Sequence, residues 1–310
     1  MIYWDLSLGV GTILSQTEKK HMGYKPVQLY QEITVNTLEE IYDTIDEYNR
    51  FHNLPRAVHG EGNPLLQAFY RGQNNSEWDI SPSILRSDAS EHQIPQDFQP
   101  PKELSLFGTI AYIQHYHSGT RFIDFSTNPD IAIFFACDGN NDKDGAIFIY
   151  DYVPHRAQWY SALVLSELTQ LVNKRRISVQ YLAEQVLVHN PDLKDRFQQI
   201  EDLNGAIISF LDHGFMVLPD DESLQDNLRL QRQQGCFFMC GVKFEHALIS
   251  SGRWFSRAGR KEFNPKSVNV PNSLKSGWSL AKITIPKESK GNMLQLLASK
   301  GITRDYLFPD

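Results

Sequence analysis

The chain is short of cysteine, of long apolar runs and of positive charge. Its 310 residues include three cysteines, too few and too unevenly placed for a disulfide framework, so we expect buried free thiols. No apolar run approaches the ~20 residues that cross a bilayer, and no basic stretch leads into an apolar one as in a secretory signal. We therefore expect a cytoplasmic protein without a membrane partner.

The charge balance is mildly acidic. Lys and Arg together number 30 against 37 for Asp and Glu, which gives a formal net charge of −7. A protein that binds nucleic acid over its whole surface would lean basic, so net charge does not support that partner, although it leaves a local basic patch open. Hydrophobic residues make up 41% of the chain, enough to bury a core in one large domain or two ordinary ones.

The order of the apolar segments predicts an α+β fold. Short strand-like runs are separated by long helical stretches without a regular β-α-β alternation, which favours mixed or antiparallel central sheets flanked by helices. We expect an N-terminal arm and helix over 1–60 and a main domain over 61–310, with a helical insertion around 155–213. The basic, Asn- and Ser-rich segment 257–276 is typical of a mobile loop.

Local signals place individual elements within this plan. Asn128 followed by Pro129 is a strong helix start, because Asn caps the free amides and Pro fits the first helical position. Gly301 is well placed to end a final helix that starts near Ser289. The predicted strands include residues 68–70, 145–150, 215–218, 236–239 and 281–285.

An arginine follows an apolar strand in the first of three polar segments. Arg71 comes directly after Phe69 and Tyr70 and is followed by Gly72. A guanidinium at this place can reach into a cleft and hold a phosphate or a carboxylate, and glycine lets a ligand approach the backbone closely. The alternative is that Arg71 pairs with a carboxylate of the protein and that Gly72 only makes a turn.

The second polar segment lies between two apolar helices. It contains His115, Ser126 and Thr127, which could face a substrate from the wall of a pocket. In the alternative interpretation, Arg121 and Asp124 form an internal ion pair. The hydroxyls would then only cap the next helix, and His115 would be a structural histidine.

The third polar segment leads into a buried strand that begins near Cys236. Arg229 and Arg232 in this segment could be surface charges. Gln234 could cap the edge of the strand. These residue types alone therefore do not point to a site.

Blocks of the sequence resemble the FRG domain family, which is named for a Phe-Arg-Gly signature. The blocks span residues 70–73, 114–116, 120–129 and 132–136. A looser match at 234–237 and 283–310 extends the resemblance, in blocks, over 65–310. Tyr70 stands where the signature has Phe. His117 and Gly119 stand where the usual pattern has Gly and Pro.

The FRG family has no established activity, but its motif order is similar to that of mono-ADP-ribosyltransferases. In those enzymes an aromatic-Arg-Gly strand, a Ser-Thr-Ser-like strand with a following helix, and a strand with a catalytic Glu build the NAD site. Residues 70–72 fit the first motif, and 125–127 fit the second. The third motif would fall at 232–235, where no Glu is present. The resemblance implies an ADP-ribosyltransferase-like core.

The resemblance to the transferases also implies a role for each motif. Arg71 would hold a diphosphate or ribose oxygen of NAD, and the Gly72 backbone would bind the nicotinamide amide. A neutral Gln in place of Glu cannot offset the charge that develops as nicotinamide leaves, a contact worth ~3–4 kcal/mol. Either Asp124 or another carboxylate would then replace the Glu, or catalysis would be slow, or the pocket would only bind. His115 would be an alternative ribose ligand or base. The implied catalytic residues are Arg71, His115, Ser126, Thr127 and Gln234, and the implied NAD-binding residues are Arg71, Gly72, Arg121 and Asp124.

Three hypotheses follow, in order of preference. The first is an NAD-dependent ADP-ribosyltransferase-like enzyme that modifies a macromolecular target, as a toxin or a phage-defence effector. The second is a module that binds a nucleotide or a partner in the same polar cleft without turnover, which the missing Glu favours. The third is that the polar cluster only specifies the fold, with Arg121 paired to Asp124 and Arg71 covered.

Overall fold

The computed structural model describes ten stretches of the chain. No helix within them is both long enough and apolar enough to cross a membrane. The main chain alone is described for 2–5, 10–13, 50–58 and 280. The described stretches are 2–5, 10–13, 32–58, 67–86, 104–116, 119–197, 199–225, 227–244, 261–275 and 280–309.

Twelve strands lie within the described stretches. They are β1 (Ile2–Asp5), β2 (Val10–Ile13), β3 (Glu32–Thr34), β4 (Gln67–Gln73), β5 (Phe122–Ser126), β6 (Gly145–Tyr152), β7 (His155–Arg156), β8 (Ile177–Ser178), β9 (Phe215–Leu218), β10 (Gly235–Met239), β11 (Glu262–Phe263) and β12 (Leu280–Ile285). Eight of them form one sheet in the order β3-β12-β6-β4-β5-β10-β9-β7. Its strands pair antiparallel except β12–β3 and β7–β9, which are parallel.

Eleven α-helices lie within the same stretches. They are α1 (Leu38–Val58), α2 (Leu106–Tyr116), α3 (Pro129–Cys137), α4 (Tyr160–Gln170), α5 (Val179–His189), α6 (Leu193–Arg196), α7 (Ile200–His213), α8 (Asp221–Gln225), α9 (Leu228–Arg232), α10 (Lys287–Ser299) and α11 (Arg304–Leu307). Short 3₁₀ turns occur at Ser83–Leu85 and Asn272–Leu274.

Helices pack on one face of the sheet in two separate groups. Side chains two apart on a strand share a face, so the register Tyr70↔Ser126↔Gly235 identifies one face across β4, β5 and β10. On that face α4, α5 and α7 pack over β5, β10 and β9, around residues such as Phe237. Helices α1, α3 and α10 pack over β4, β6 and β12, around residues such as Ile147. A space between the two groups is therefore left over β4 and β5.

The opposite face of the sheet carries a third apolar cluster. It contains Phe69, Phe148 and Phe238 from the strands. Ile80 and Leu274, which lie outside the strands, are buried against them. Both faces are thus covered, which accounts for the nearly continuous apolar character of β6 and β10.

The α+β prediction is confirmed, with one large mixed sheet flanked by helices. Asn128 caps α3 as predicted, because its side chain accepts a hydrogen bond from the Asp130 amide. The predicted mobile loop is wrong for its described part, 261–275. That part contains β11, and its residues Phe263 and Leu274 are buried. The prediction rested on polar composition and missed apolar residues that lie too far apart to show a period.

Candidate functional site

A cavity of about 260 Å³ is lined by residues from both faces of the sheet, among them Ser126 on the helix-covered face and Phe125 on the opposite one. Its walls come from β4, β5 and β10 of the sheet and from α2, α3 and α9. Its polar lining residues are Arg71, Gln114, His115, Asp124, Ser126, Arg229 and Gln233, and its aromatic lining residues are Tyr70, Phe125, Phe135, Phe237 and Phe308. We call this cavity the cleft.

The cleft lies where β4 and β5 separate. A single register pair, Tyr70↔Ser126, joins these two described strands. Backbone bonds from Thr127 and to Arg121 show that odd-numbered residues of β5 bond to β10. The Asp124 carbonyl therefore faces β4, and Arg71 Nη1 donates to its oxygen at 2.7 Å. The arginine thus replaces a ladder hydrogen bond that the separating strands do not make.

Asp124 is fixed by a neighbouring amide. Gln114 Nε2 donates to Asp124 Oδ1 at 3.0 Å and to Oδ2 at 2.9 Å. The other end of this amide, Gln114 Oε1, accepts hydrogen bonds from the hydroxyls of Thr120 and Ser83. Both ends of the Gln114 side chain are thereby held, so the carboxylate has a fixed orientation beside Arg71.

His115 lies in the cleft with an unsatisfied nitrogen. Its ring packs edge-on against Phe237, with centroids 5.5 Å apart. Its Nε2 atom is buried and has no hydrogen-bond partner among the residues that the structure describes. Burial lowers the pKa of His115, and the opposing charges of Asp124, which raises it, and Arg229, which lowers it, act more weakly. The imidazole is therefore neutral at pH 7 and offers one donor and one acceptor.

Arg71 also has an unsatisfied nitrogen. Within the described part of the chain its buried Nε atom has no hydrogen-bond partner, although Nη1 is bonded to the Asp124 carbonyl. Burial lowers the pKa of Arg71, the Asp124 charge raises it, and Arg86 lowers it further. Guanidinium groups stay charged at neutral pH even so. Arg71, the first candidate from the sequence, therefore keeps an unused hydrogen-bond donor in the cleft.

Ser126 lines the cleft, but Thr127 and Gln234 do not. The Ser126 hydroxyl donates to the Gln233 carbonyl at 2.8 Å. Thr127 is exposed, and its hydroxyl donates to the Gln234 carbonyl. Gln234 has an exposed side chain and a positive φ of 43°, so it turns the chain into β10 and contributes its backbone rather than its amide. This placement corrects the prediction that the Gln234 side chain stands in the site.

Arg121 is likewise separate from the cleft. Its side chain is 0% exposed, and it donates to the Gly241 carbonyl at 3.4 Å and to the Pro265 carbonyl at 2.9 Å. The predicted ion pair with Asp124 is wrong, because Arg121 directly precedes β5 and side chains three apart in extended chain point to opposite faces. Arg121 therefore holds the 261–275 segment to the sheet rather than binding a ligand.

Gly72 lines the cleft, and its main constraint is helix packing. A Cβ atom at this position would lie 1.9 Å from the Ala132 carbonyl oxygen and 2.7 Å from the Ala136 amide nitrogen. Because both atoms belong to the α3 backbone, any side chain here would push α3 off β4. The glycine thus sets how closely the helix approaches the strand that carries Arg71.

Sequence reasoning missed several residues of the cleft, among them Arg229 and Phe308. Arg229 was interpreted as a surface charge, yet it lines the cavity and its Nε atom is buried without a partner. Phe308, far along the chain, forms part of the wall and packs against Phe135 with ring centroids 5.8 Å apart. An arginine on a five-residue helix carries no local signal, and the contact with Phe308 depends on the tertiary fold.

The three cysteines are free and buried, as predicted. Cys236 lines the cleft, where burial and then the Asp124 charge raise the pKa of its thiol well above the ordinary value. Such a thiol stays protonated and is a poor nucleophile. Among the described residues, no group of three His, Cys, Asp or Glu side chains could hold a metal ion.

The cleft is thus a polar pocket built on the central sheet, with two guanidinium groups, one carboxylate and a neutral imidazole. Residues 67–145, which supply β4, α2, β5 and α3, match the family model of the FRG domain. The prediction of an FRG domain is confirmed over this stretch. No curated protein and no solved structure matches the chain at a significant level.

Proposed function

We propose that the cleft binds NAD and that the protein transfers ADP-ribose from it to a macromolecular target. The observation that carries the proposal is the buried, unpartnered Nε of Arg71 in a cavity that also holds Asp124 and the neutral His115. Arginine uses Nε and one Nη together to hold two oxygens of a phosphate, a geometry that supports binding of a phosphate-bearing ligand.

The size of the cleft limits which part of NAD it would enclose. Its volume of about 260 Å³ is below the ~300–1,000 Å³ of pockets that enclose whole drug-sized ligands. We therefore assign to it the phosphate region and the adjoining ribose, with the rest of the dinucleotide outside. The aromatic side chains of the wall would contact the sugar and exclude water from it.

The proposed reaction breaks the bond between ribose C1′ and the nicotinamide nitrogen. The bonding electron pair leaves with nicotinamide, and a nucleophile of the target supplies the electron pair of the new bond to C1′ and loses a proton. Asp124 is the one carboxylate residue that lines the cleft among the described residues, and it would offset the positive charge on the ribose. The neutral His115 imidazole would accept the proton.

The test is transfer of label from NAD labelled in the adenylate part, with cell lysate as the source of targets. We expect the wild type to label a macromolecule and Arg71→Gln to abolish labelling. Asp124→Asn should lower the rate of nicotinamide release by about 10²–10³-fold, the usual cost of losing one electrostatic contact in the transition state. Arg176→Gln is the matched control, since Arg176 is exposed and pairs with Glu262 far from the cleft-lining residues. Absence of label together with absence of NAD binding would overturn the proposal.

A second candidate function is binding of the same nucleotide without turnover. This candidate is favoured because both carboxylate oxygens of Asp124 already accept hydrogen bonds from Gln114. It is also favoured by the absence of any glutamate among the described residues that line the cleft. NAD binding by calorimetry with no nicotinamide release, unchanged in Gln234→Ala, would select this candidate. The role of a toxin or phage-defence effector stays a prediction from the family resemblance.

A further inference from the structure

Arg229 is held between two aromatic rings at the side of the cleft. The guanidinium carbon lies 4.5 Å from the centroid of the Tyr116 ring and 5.8 Å from that of Phe308. One nitrogen, Nη1, donates to the His115 carbonyl at 2.9 Å. Stacking and this hydrogen bond fix the guanidinium plane, so little further order is needed for it to bind a ligand.

A second donor of Arg229, its Nε atom, is not used by the protein. This atom is buried and has no hydrogen-bond partner among the described residues, and Arg229 lines the cleft. An unpaired buried donor costs free energy, and a positively charged one costs more. Arg232, three residues further along α9, differs, because its Nη1 donates to the Tyr306 carbonyl and the residue is not part of the lining.

The wall that carries Arg229 is tied to the rest of the protein through 303–308. Gln233 Nε2 donates to the Leu307 carbonyl at 3.0 Å, next to Phe308, whose ring contacts both Phe135 and Arg229. Thr303 caps the short helix α11 through the Tyr306 amide. This segment therefore contributes Phe308 to the wall of the cleft, beside Phe135 and Arg229.

The contacts of the two cleft arginines meet at the adjacent residues Gln114 and His115, and both arginines line the same cavity. Arg71 donates to the backbone of Asp124, Gln114 donates to the Asp124 carboxylate, and Arg229 donates to the backbone of His115, the residue after Gln114. Each arginine keeps a buried Nε without a partner. The pattern suits a ligand with two linked anionic groups, because each guanidinium can hold one group.

We propose that Arg229 is a second anion-binding residue and that the cleft selects a diphosphate over a monophosphate. This inference rests on the proposed function for the identity of the nucleotide, but it can be tested with simpler anions. Arg71 would bind one phosphate and Arg229 the other. The aromatic residues around Arg229 then act as positioning residues, since they hold its guanidinium without touching the ligand's charge.

The experiment compares pyrophosphate, phosphate, ADP-ribose and AMP by calorimetry on the full chain. We expect the wild type to bind pyrophosphate and ADP-ribose more tightly than phosphate and AMP. Arg229→Gln should weaken the diphosphate ligands by about 10- to 100-fold, the worth of one charge-assisted hydrogen-bond pair, and leave the monophosphates nearly unchanged. Arg229→Lys should restore only part of the loss, because it keeps the charge but not the planar fork.

Two controls keep the outcomes separate. Arg232→Gln removes the same charge from the same helix and should bind all four ligands as the wild type does, and far-UV circular dichroism confirms that each variant is folded. Equal loss for diphosphates and monophosphates in Arg229→Gln, or no loss at all, would overturn the inference while leaving NAD binding intact. Binding of pyrophosphate without binding of ADP-ribose would overturn the proposed function but support the inference that Arg71 and Arg229 together bind a diphosphate. A folded wild type that binds none of the four contradicts both.

Discussion

Two regions of the molecule hold arginines in opposite ways. Arg121, the residue before β5, is fully buried and donates to the Gly241 and Pro265 carbonyls. Arg71 and Arg229 line the cleft and are partly exposed, and each has a buried Nε without a hydrogen-bond partner among the described residues. The cleft arginines thus combine access to the cavity with an unused donor. This combination separates them from Arg121, whereas an unpartnered buried atom alone does not, since Ser166 and Asn204 hold such atoms outside the cleft.

Two histidines repeat the contrast. His155, beside α4, stacks on Phe215 with centroids 4.5 Å apart, and its Nδ1 lies 2.6 Å from the Ser161 hydroxyl. His115 in the cleft has a buried Nε2 without a partner. Burial lowers the pKa of both. Both are neutral at pH 7, yet the unpartnered nitrogen distinguishes the cleft residue.

The largest effect expected from this contrast is the loss of folding stability when Arg121 is replaced. Arg121→Met keeps most of the side-chain volume but removes charged donors from two buried carbonyls, at about 1.5–3 kcal/mol each. The free energy of unfolding should fall by about 3–5 kcal/mol in urea titrations. Arg71→Met, the matched variant in the cleft, should lose about 1 kcal/mol and all affinity for NAD. Equal stability losses in the two variants would remove the distinction between the regions.

The next largest effect concerns Gly72, which belongs to both regions because it lines the cleft and packs against α3. Gly72→Ala should cost about 3 kcal/mol, the upper part of the range for overpacking, because the atoms that meet the new methyl are backbone atoms. Thermal unfolding followed by circular dichroism measures the loss.

Gly291 provides the control for this substitution. It lies within α10, and a Cβ there would meet nothing within 4 Å. Gly291→Ala should therefore stabilise the protein by about 0.5–1 kcal/mol through helix propensity. A Gly72→Ala variant that is as stable as the wild type would show that α3 yields easily and that the glycine serves the ligand instead.

Much of the frame of the site could be predicted from local patterns. The Asn128 cap, the strand leading into Arg71 and the buried strand from Gly145 follow from residue preferences within a few positions. Each is present in the structure, but β4 continues through Arg71 to Gln73 instead of ending before the arginine. The resemblance to the transferases implies that Arg71 and Ser126 belong to one site, and both residues line the same cleft.

The remaining parts depend on interactions that residue patterns do not encode. Arg229 and Phe308 reach the cleft through α9 and 303–308, which are short elements positioned by tertiary contacts. The predicted pairing of Arg121 with Asp124 was wrong because closeness in sequence suggests an ion pair, whereas side chains three apart in extended chain point to opposite faces. The Gln234 side chain turns outward because its residue adopts positive φ at the start of β10.

The smallest expected effect is the loss of folding stability at acid pH that His155 causes. Burial lowers the pKa of His155 to about 4, against about 6.5 in the unfolded chain, so the unfolded state binds the proton first as the pH falls. Its contribution to stability is complete above pH 6.5 and is lost between pH 6.5 and pH 4. We expect a loss of about 2 kcal/mol over this window, reduced from the full linkage value because the ring is partly exposed.

The His155→Gln variant isolates this contribution, because glutamine does not titrate. Its unfolding free energy, measured in urea at several pH values, should start lower than that of the wild type, since the stacking on Phe215 is lost. It should then fall less steeply below pH 6.5. Parallel curves for the two proteins would mean that His155 is protonated at little cost in the folded state. The contrast between His155 and His115 would then rest on hydrogen bonding alone, without a shared cost of protonating a buried ring.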